Sequence, residues 1–172
     1  MSGGPMSSWR QQALVHAPLE KVWELVGDPN RYPEWASHIV EVTGMPRIAR
    51  DVTFRQVTRT ANGTSAATFK IEELEDLRSI KMRCLDTNTY TRFVLTDARG
   101  ETFVDVETGT ASATLRDRAL DAMKRKLFFR RLVNGLLDGL REAVAHRGDS
   151  DASPPGSTAG ASSPGSPRKH AE

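Results

Sequence analysis

Four histidines, His16, His38, His146 and His170, and one cysteine, Cys84, are the side chains best able to ligate a metal or act as base or nucleophile. Their spacing gathers none of them. No carboxylate stands at ligand spacing beside two histidines, and the chain has no HExxH, no paired cysteines, no Gly-x-Ser-x-Gly turn and no glycine-rich phosphate loop. The residue types therefore predict no metal, no cofactor and no assignable catalytic group. Two gentler chemistries remain. Gln56, Thr91, Thr108 and His38 share parity with apolar neighbours on extended segments and could orient a bound molecule, although hydrogen bonds that serve only the fold are commoner. His38, three residues after Trp35, could also present its imidazole as acid or base. The run Lys124-Arg125-Lys126-Leu127-Phe128-Phe129-Arg130-Arg131 mixes cations with large apolar groups at helical spacing, which suits a membrane surface or anionic partner as well as a solvated helix face. Nucleic acid is not expected, because the formal charge is only +2 and no aromatic platform accompanies the basic run.

The elements that must position these groups occupy most of a 172-residue chain, a length that suits one domain. Residues 1–8 read as a loose leader, 9–146 as the domain and 147–172, rich in Ser, Pro and Gly, as a disordered tail. A lone cysteine forms no internal disulfide, and no apolar N-terminal run resembles a signal peptide or membrane span, so a reducing cytoplasm is expected. Trp9 to His16 alternates as a first strand. Pro18 suits the first turn of a short helix carrying Val22, Leu25 and Val26 and stopped by Gly27. Asp28-Pro29 starts a second one bearing Tyr32 and Trp35, and the two helices make a tight elbow.

From His38 to about Ala111 short alternating runs predict six further strands. Val40 and Val42 share a face, as do Val52, Phe54 and Gln56; Asn62-Gly63 signals a hairpin. Phe69 and Ile71 follow, with an acidic break at Glu72, Glu73, Glu75 and Asp76; Ile80, Met82 and Cys84 alternate with Lys81, Arg83 and Leu85, and the expected inward set is Val40, Val42, Phe54, Phe69, Ile80, Met82, Phe93, Leu95, Val104 and Val106. Alternation means one buried face. Its cover is a helix from about Leu115 to His146, whose stripe is Phe129, Leu132, Val133, Leu136, Leu137, Leu140 and Val144. Leu120, Leu127 and Phe128 fall off that stripe while Lys126 falls on it, so something other than the main core contacts the first half. Gly135 and Gly139 either admit a close neighbour or are tolerated at some cost.

The residues Val15, Ala17, Pro18, Val22, Trp23, Leu25, Val26, Asp28, Pro29, Arg31, Tyr32, Pro33, Glu34 and Trp35 form a pattern that resembles the entry motif of the START-like (SRPBCC) superfamily. Within it the chain is most similar to the polyketide cyclase/dehydrase and lipid-transport family. The resemblance implies an α+β helix-grip fold: a curved seven-stranded antiparallel sheet around a long C-terminal helix, with two short helices between strands 1 and 2. It also implies an apolar cavity, whose expected lining is Tyr32, Trp35, His38, Val40, Val42, Phe54, Gln56, Phe69, Ile80, Met82, Phe93, Leu95, Val104 and Val106, with Met123 and Leu127 from the helix. By composition alone the same residues would read as a filled core. Trp23 is explained by burial, whereas Tyr32 and Trp35 lie where the resemblance puts the cavity mouth.

The implied function is binding or carrying a hydrophobic small molecule such as a lipid, quinone or polyketide-like aromatic, in a monomer or weak homodimer. Transient membrane contact would come through Lys124, Arg125, Lys126, Arg130 and Arg131. One alternative is a polyketide cyclase or dehydratase using the same cavity; another is an interaction module working through the basic helix at 116–131. The aromatase/cyclase branch implies a pocket Arg on a middle strand and a Tyr after the elbow. These positions fall at Ile71 or Glu72 and at Ile39, which carry neither, leaving Arg55, Arg83 or Arg92 to supply a cation.

Overall fold

The computed structural model describes residues 7–110 and 120–151, without the side chains of 7, 120–123, 125 and 148–151. Strands β1 (Ser7–Val15), β2 (Ile39–Thr43), β3 (Thr53–Thr60), β4 (Gly63–Glu75), β5 (Ser79–Cys84), β6 (Thr89–Asp97) and β7 (Thr102–Thr110) form one antiparallel sheet in the order β1-β7-β6-β5-β4-β3-β2. Between β1 and β2 lie α1 (Leu19–Val26), a 3₁₀ turn (Pro29–Arg31) and α2 (Tyr32–Trp35); α3 (Leu120–Asp151) is the last of the described elements. This is the expected helix-grip.

The elbow forms where the caps are. Pro18 precedes α1, the Asp28 carboxylate accepts from the Asn30 amide at 2.9 Å, and Pro29 follows. Gly27 caps α1, and a Cβ there would lie 2.5 Å from the Trp23 ring. Tyr32 and Trp35 meet edge to face at 5.1 Å and both touch Phe93, at 6.3 and 6.1 Å between ring centroids.

Helix α3 packs chiefly on β1 and β7, against α2, and less against α1. Val133, Leu137 and Leu140 are wholly buried with Val104, Val106, Ile80 and Leu95. The backbones approach closely at one point: a Cβ on Gly139 would sit 2.0 Å from the Trp35 carbonyl oxygen, whereas one on Gly135 would meet nothing. The helix runs past His146 to Asp151, and Arg147 reaches Glu34 at 2.6 Å, the carboxylate that also holds Arg31 at 3.1 Å. Of the expected leader 1–8 and tail 147–172, residues 7–8 belong to β1 and 147–151 to α3; the remainder, like the expected helix start before Leu120, lies outside the described residues.

Two other expectations change. The acidic stretch does not break the strand: β4 continues through it to Glu75, with a register shift between Ile71 and Glu73. Glu72 and Glu73 stay on the sheet because cations on the outer face take them up, Arg83 on Glu72, Lys81 at 3.2 Å from each, and Arg92 at 3.4 Å from Glu73. In β2 a bulge between Ile39 and Glu41 moves the inward position by one. Ile39 is buried and Val40 is 43 % exposed, so Val40 is not a cavity residue.

Candidate functional site

Because α3 lies over the β1–β7 side, the inward residues nearest the β3–β4 hairpin have, among the described residues, no helix to fill the space above them. A hollow of about 810 Å³ results. Its sheet wall is Gln56 and Thr58 from β3, Ser65, Ala67 and Phe69 from β4, Met82 and Cys84 from β5, and Thr89, Thr91 and Phe93 from β6. The elbow and the residues after it add Tyr32, Ser37, His38 and Ile39, and α3 adds Phe128, Leu132 and Leu136. Arg59, Thr60, Ala61 and Thr87, all exposed, make the mouth. At the other end Tyr32, Ile39, Met82, Phe93 and Leu136 are buried. The hollow is thus apolar in its depths and rich in hydroxyls towards its opening.

The polar groups near it divide by what they already bond. Tyr32 donates to the Val26 carbonyl at 2.8 Å and Trp35 to that of Leu25 at 3.2 Å, so both aromatic handles secure the elbow. Burial, with a lesser push from the Asp28 charge, raises the Tyr32 pKa well above its ordinary value. Gln56 donates to Thr58 at 3.2 Å, and Thr91 lies 3.4 Å from Thr108, which donates to the Tyr90 carbonyl at 2.9 Å. Burial lowers the His38 pKa, favouring the neutral imidazole. Arg59, whose amide bonds the His38 carbonyl at 2.7 Å, has no carboxylate partner among the described residues. Among those residues no three His, Cys, Asp or Glu side chains gather as a metal site.

The profile of the family described as "Polyketide cyclase / dehydrase and lipid transport" matches residues 6–145. The chain belongs to that family. No curated protein matches it in sequence. Among solved structures, this polyketide cyclase/dehydrase and lipid-transport family member is similar to a START superfamily protein from Mycobacterium smegmatis, with 15% identity and a TM-score of 0.68 over 81% of this chain and 98% of that one. A protein from Thermus thermophilus, TTHA0849, matches at 17% identity and a TM-score of 0.65, over 81% and 98% of the two chains. The di-domain ARO/CYC StfQ from the steffimycin biosynthetic pathway matches at 12% identity and 0.66, over 83% of this chain and 52% of that one. At such identities these likenesses speak for the fold alone.

Of the lining expected for this family member, the structure brings Tyr32, His38, Gln56, Phe69, Met82 and Phe93 to the hollow. Trp35, Phe54, Ile80, Leu95, Val104 and Val106 are buried core residues away from it, and Val42 packs against that core. They lie where α3 and the elbow already fill the space. Leu127 is 46 % exposed and points off the lining; its neighbour Phe128 takes that place, itself 61 % exposed. The Met123 and Arg125 side chains lie outside the described residues. Lys124, Lys126, Arg130 and Arg131 are exposed, and Lys126 also sits 5.7 Å from the Trp9 ring, which accounts for a cation on the helix stripe. Thr108 is buried behind Thr91 and does not reach the hollow.

The sequence reading missed Ser37, Ile39, Thr58, Arg59, Ser65, Ala67, Cys84, Thr89, Leu132 and Leu136 as lining. Thr58, Ser65, Ala67, Cys84 and Thr89 share inward parity with residues that were chosen, but they are small or polar, and a search for large apolar residues passes over them. The cyclase positions carry no substitute cation: Ile39 lines the hollow, Ile71 is wholly buried, Glu72 faces outward with Arg83 and Lys81, and Arg55 is exposed.

Proposed function

We propose that this protein binds and carries a hydrophobic small molecule, and the observation that supports this best is the hollow of about 810 Å³ with an apolar end and an open mouth. Pockets of roughly 300–1,000 Å³ hold drug-sized ligands, and each square ångström of apolar surface withdrawn from water is worth about 25 cal/mol. The family description names both lipid transport and polyketide chemistry. Carriage is preferred because a cyclase or dehydratase needs an acid, base or cation converging on the guest. Apart from Tyr32, whose hydroxyl is engaged elsewhere, and the Cys84 thiol, the lining offers, among the described residues, only His38 and a mouth arginine, Arg59.

Native mass spectrometry of the full chain, gently purified, tests the reading. It should show a retained small molecule, or uptake from a panel of lipids, quinones and aromatics, that Ala67→Trp abolishes by filling the space. Protein that is empty and takes up none of the panel sinks the carrier reading.

Delivery to a membrane is part of the same proposal. Phe128 both lines the hollow and stands exposed, flanked by exposed Leu127, Lys124, Lys126, Arg130 and Arg131. Basic groups near an anionic surface contribute about 1 kcal/mol each, and an apolar side chain can enter the headgroup layer. Among the described residues no helix is long and apolar enough to cross a bilayer, so the contact is peripheral. Vesicles containing phosphatidylserine should pull down the chain, and replacing those four cations with Gln should weaken the binding at least tenfold. Equal binding by that variant, or by the parent to uncharged vesicles, overturns the role given to these cations, and failure of the parent to bind phosphatidylserine vesicles rules the contact out. We place the working protein in the cytoplasm as a monomer or weak homodimer, where Cys84 stays a thiol.

A further inference from the structure

The hydrogen bonds inside the hollow restrict what its guest can be. Gln56 is 7 % exposed, and its amide donates to Thr58 at 3.2 Å. In that arrangement the Gln56 carbonyl oxygen has no partner among the described residues, although it belongs to a lining residue. Next to it the Thr58 hydroxyl, having accepted, is free to donate. On the other side of β5, Thr108 gives its proton to the Tyr90 carbonyl at 2.9 Å, and the long 3.4 Å contact from Thr91 leaves the Thr91 oxygen open towards the hollow. Each flank of the hollow therefore holds an acceptor lacking a donor.

We infer that the guest is an uncharged molecule carrying hydroxyl groups, at least one of which gives its proton to Gln56 while accepting from Thr58. The inference rests on the carrier reading and deepens it by naming the ligand chemistry. A hydroxyl is donor and acceptor at once and satisfies both atoms of the Gln56–Thr58 pair. An ether or quinone oxygen can accept but leaves the Gln56 oxygen unpaired. A carboxylate meets it acceptor against acceptor and must shed its water to enter. The one permanent cation on the lining among the described residues, Arg59, is exposed at the mouth, and an exposed ion pair contributes too little to offset that cost. The cations on the middle strands, Lys81, Arg83 and Arg92, are paired with Glu72 and Glu73 on the opposite face.

Three probes on one skeleton test this: 2-naphthol, its methyl ether 2-methoxynaphthalene, and 2-naphthoate, titrated calorimetrically into the full chain at pH 7. The alcohol should bind about tenfold more tightly than the ether, the ratio expected from one net hydrogen bond, and at least about tenfold more tightly than the acid. Gln56→Leu should erase the preference over the ether, because the alcohol loses its acceptor and the ether no longer leaves a buried oxygen unpaired. Ether or acid binding as tight as the alcohol's, blocked by Ala67→Trp, overturns the hydroxyl requirement and leaves the carrier reading standing. Failure of all three to bind counts against both.

Discussion

The two ends of the sheet's inner face are built from the same strands and do opposite things. Towards the elbow, Phe54, Ile71, Ile80, Leu95, Val104 and Val106 meet α1, α2 and the later turns of α3 in a closed core. Towards the β3–β4 hairpin the same columns continue as Gln56 and Thr58, Ala67 and Ser65, Cys84, Thr91 and Thr89, and they surround open space. Along each strand the inward residue turns from large and apolar to small or hydroxylated as the chain nears the mouth. Alternation identifies the face, and the change of residue type along the column separates core from hollow. Solid packing stabilises one end, and small side chains keep the other available.

Breaking the closed end should have the larger effect. Leu137, 1 % exposed, lies among the core residues under α3, and Leu137→Ala should cost about 3 kcal/mol in urea unfolding. Leu132, half-buried on the hollow's wall, is expected to lose about 1 kcal/mol on the same change while altering guest affinity more than stability. Similar losses at both positions would mean that the hollow is packed as tightly as the core.

A finer contrast lies within one helix. Gly139→Ala forces a methyl onto the Trp35 carbonyl and should destabilise by about 2 kcal/mol, because the obstacle is backbone and cannot swing aside. Gly135→Ala meets nothing and should stabilise by up to about 1 kcal/mol through helix propensity. Thermal melts of both variants measure this directly. Equal shifts would place α3 farther from the elbow than described.

These contrasts also show which parts were legible beforehand. The elbow was, since Pro18, Gly27, Asp28 and Pro29 act through local backbone preferences that need no knowledge of the rest. The inner face of β3 through β7 was, because parity is local too. The inward shift of β2 was not: nothing about Ile39 and Val40 as residue types distinguishes them, and the bulge arises from pairing with β3. Nor was the continuation of β4 through Glu72 and Glu73, whose charges are tolerated only because Lys81, Arg83 and Arg92 stand opposite in the folded sheet. The two glycines of α3 looked alike for the same reason, since only docking against Trp35 separates them.

The smallest effect concerns how dry the open end is. Burial lowers the His38 pKa below that of a solvated histidine, about 6.5, so within that interval the unfolded chain binds a proton that the folded chain refuses. Stability from this source is fully present above about pH 6.5 and is lost as the pH falls through the folded value. His38→Gln should accordingly lose less stability than the parent between pH 7.5 and 5.5, as read by urea midpoints at the two values. The difference should be modest, since His38 is half-buried at the rim, and its nearest charged neighbour in the lining, Arg59, is exposed. Filling the hollow with an uncharged guest withdraws more water from the ring, so the parent's acid sensitivity should increase on loading while the variant's does not. Identical slopes for both proteins, empty and loaded, would mean that His38 titrates as it does in water and that the guest never reaches the polar end of the hollow.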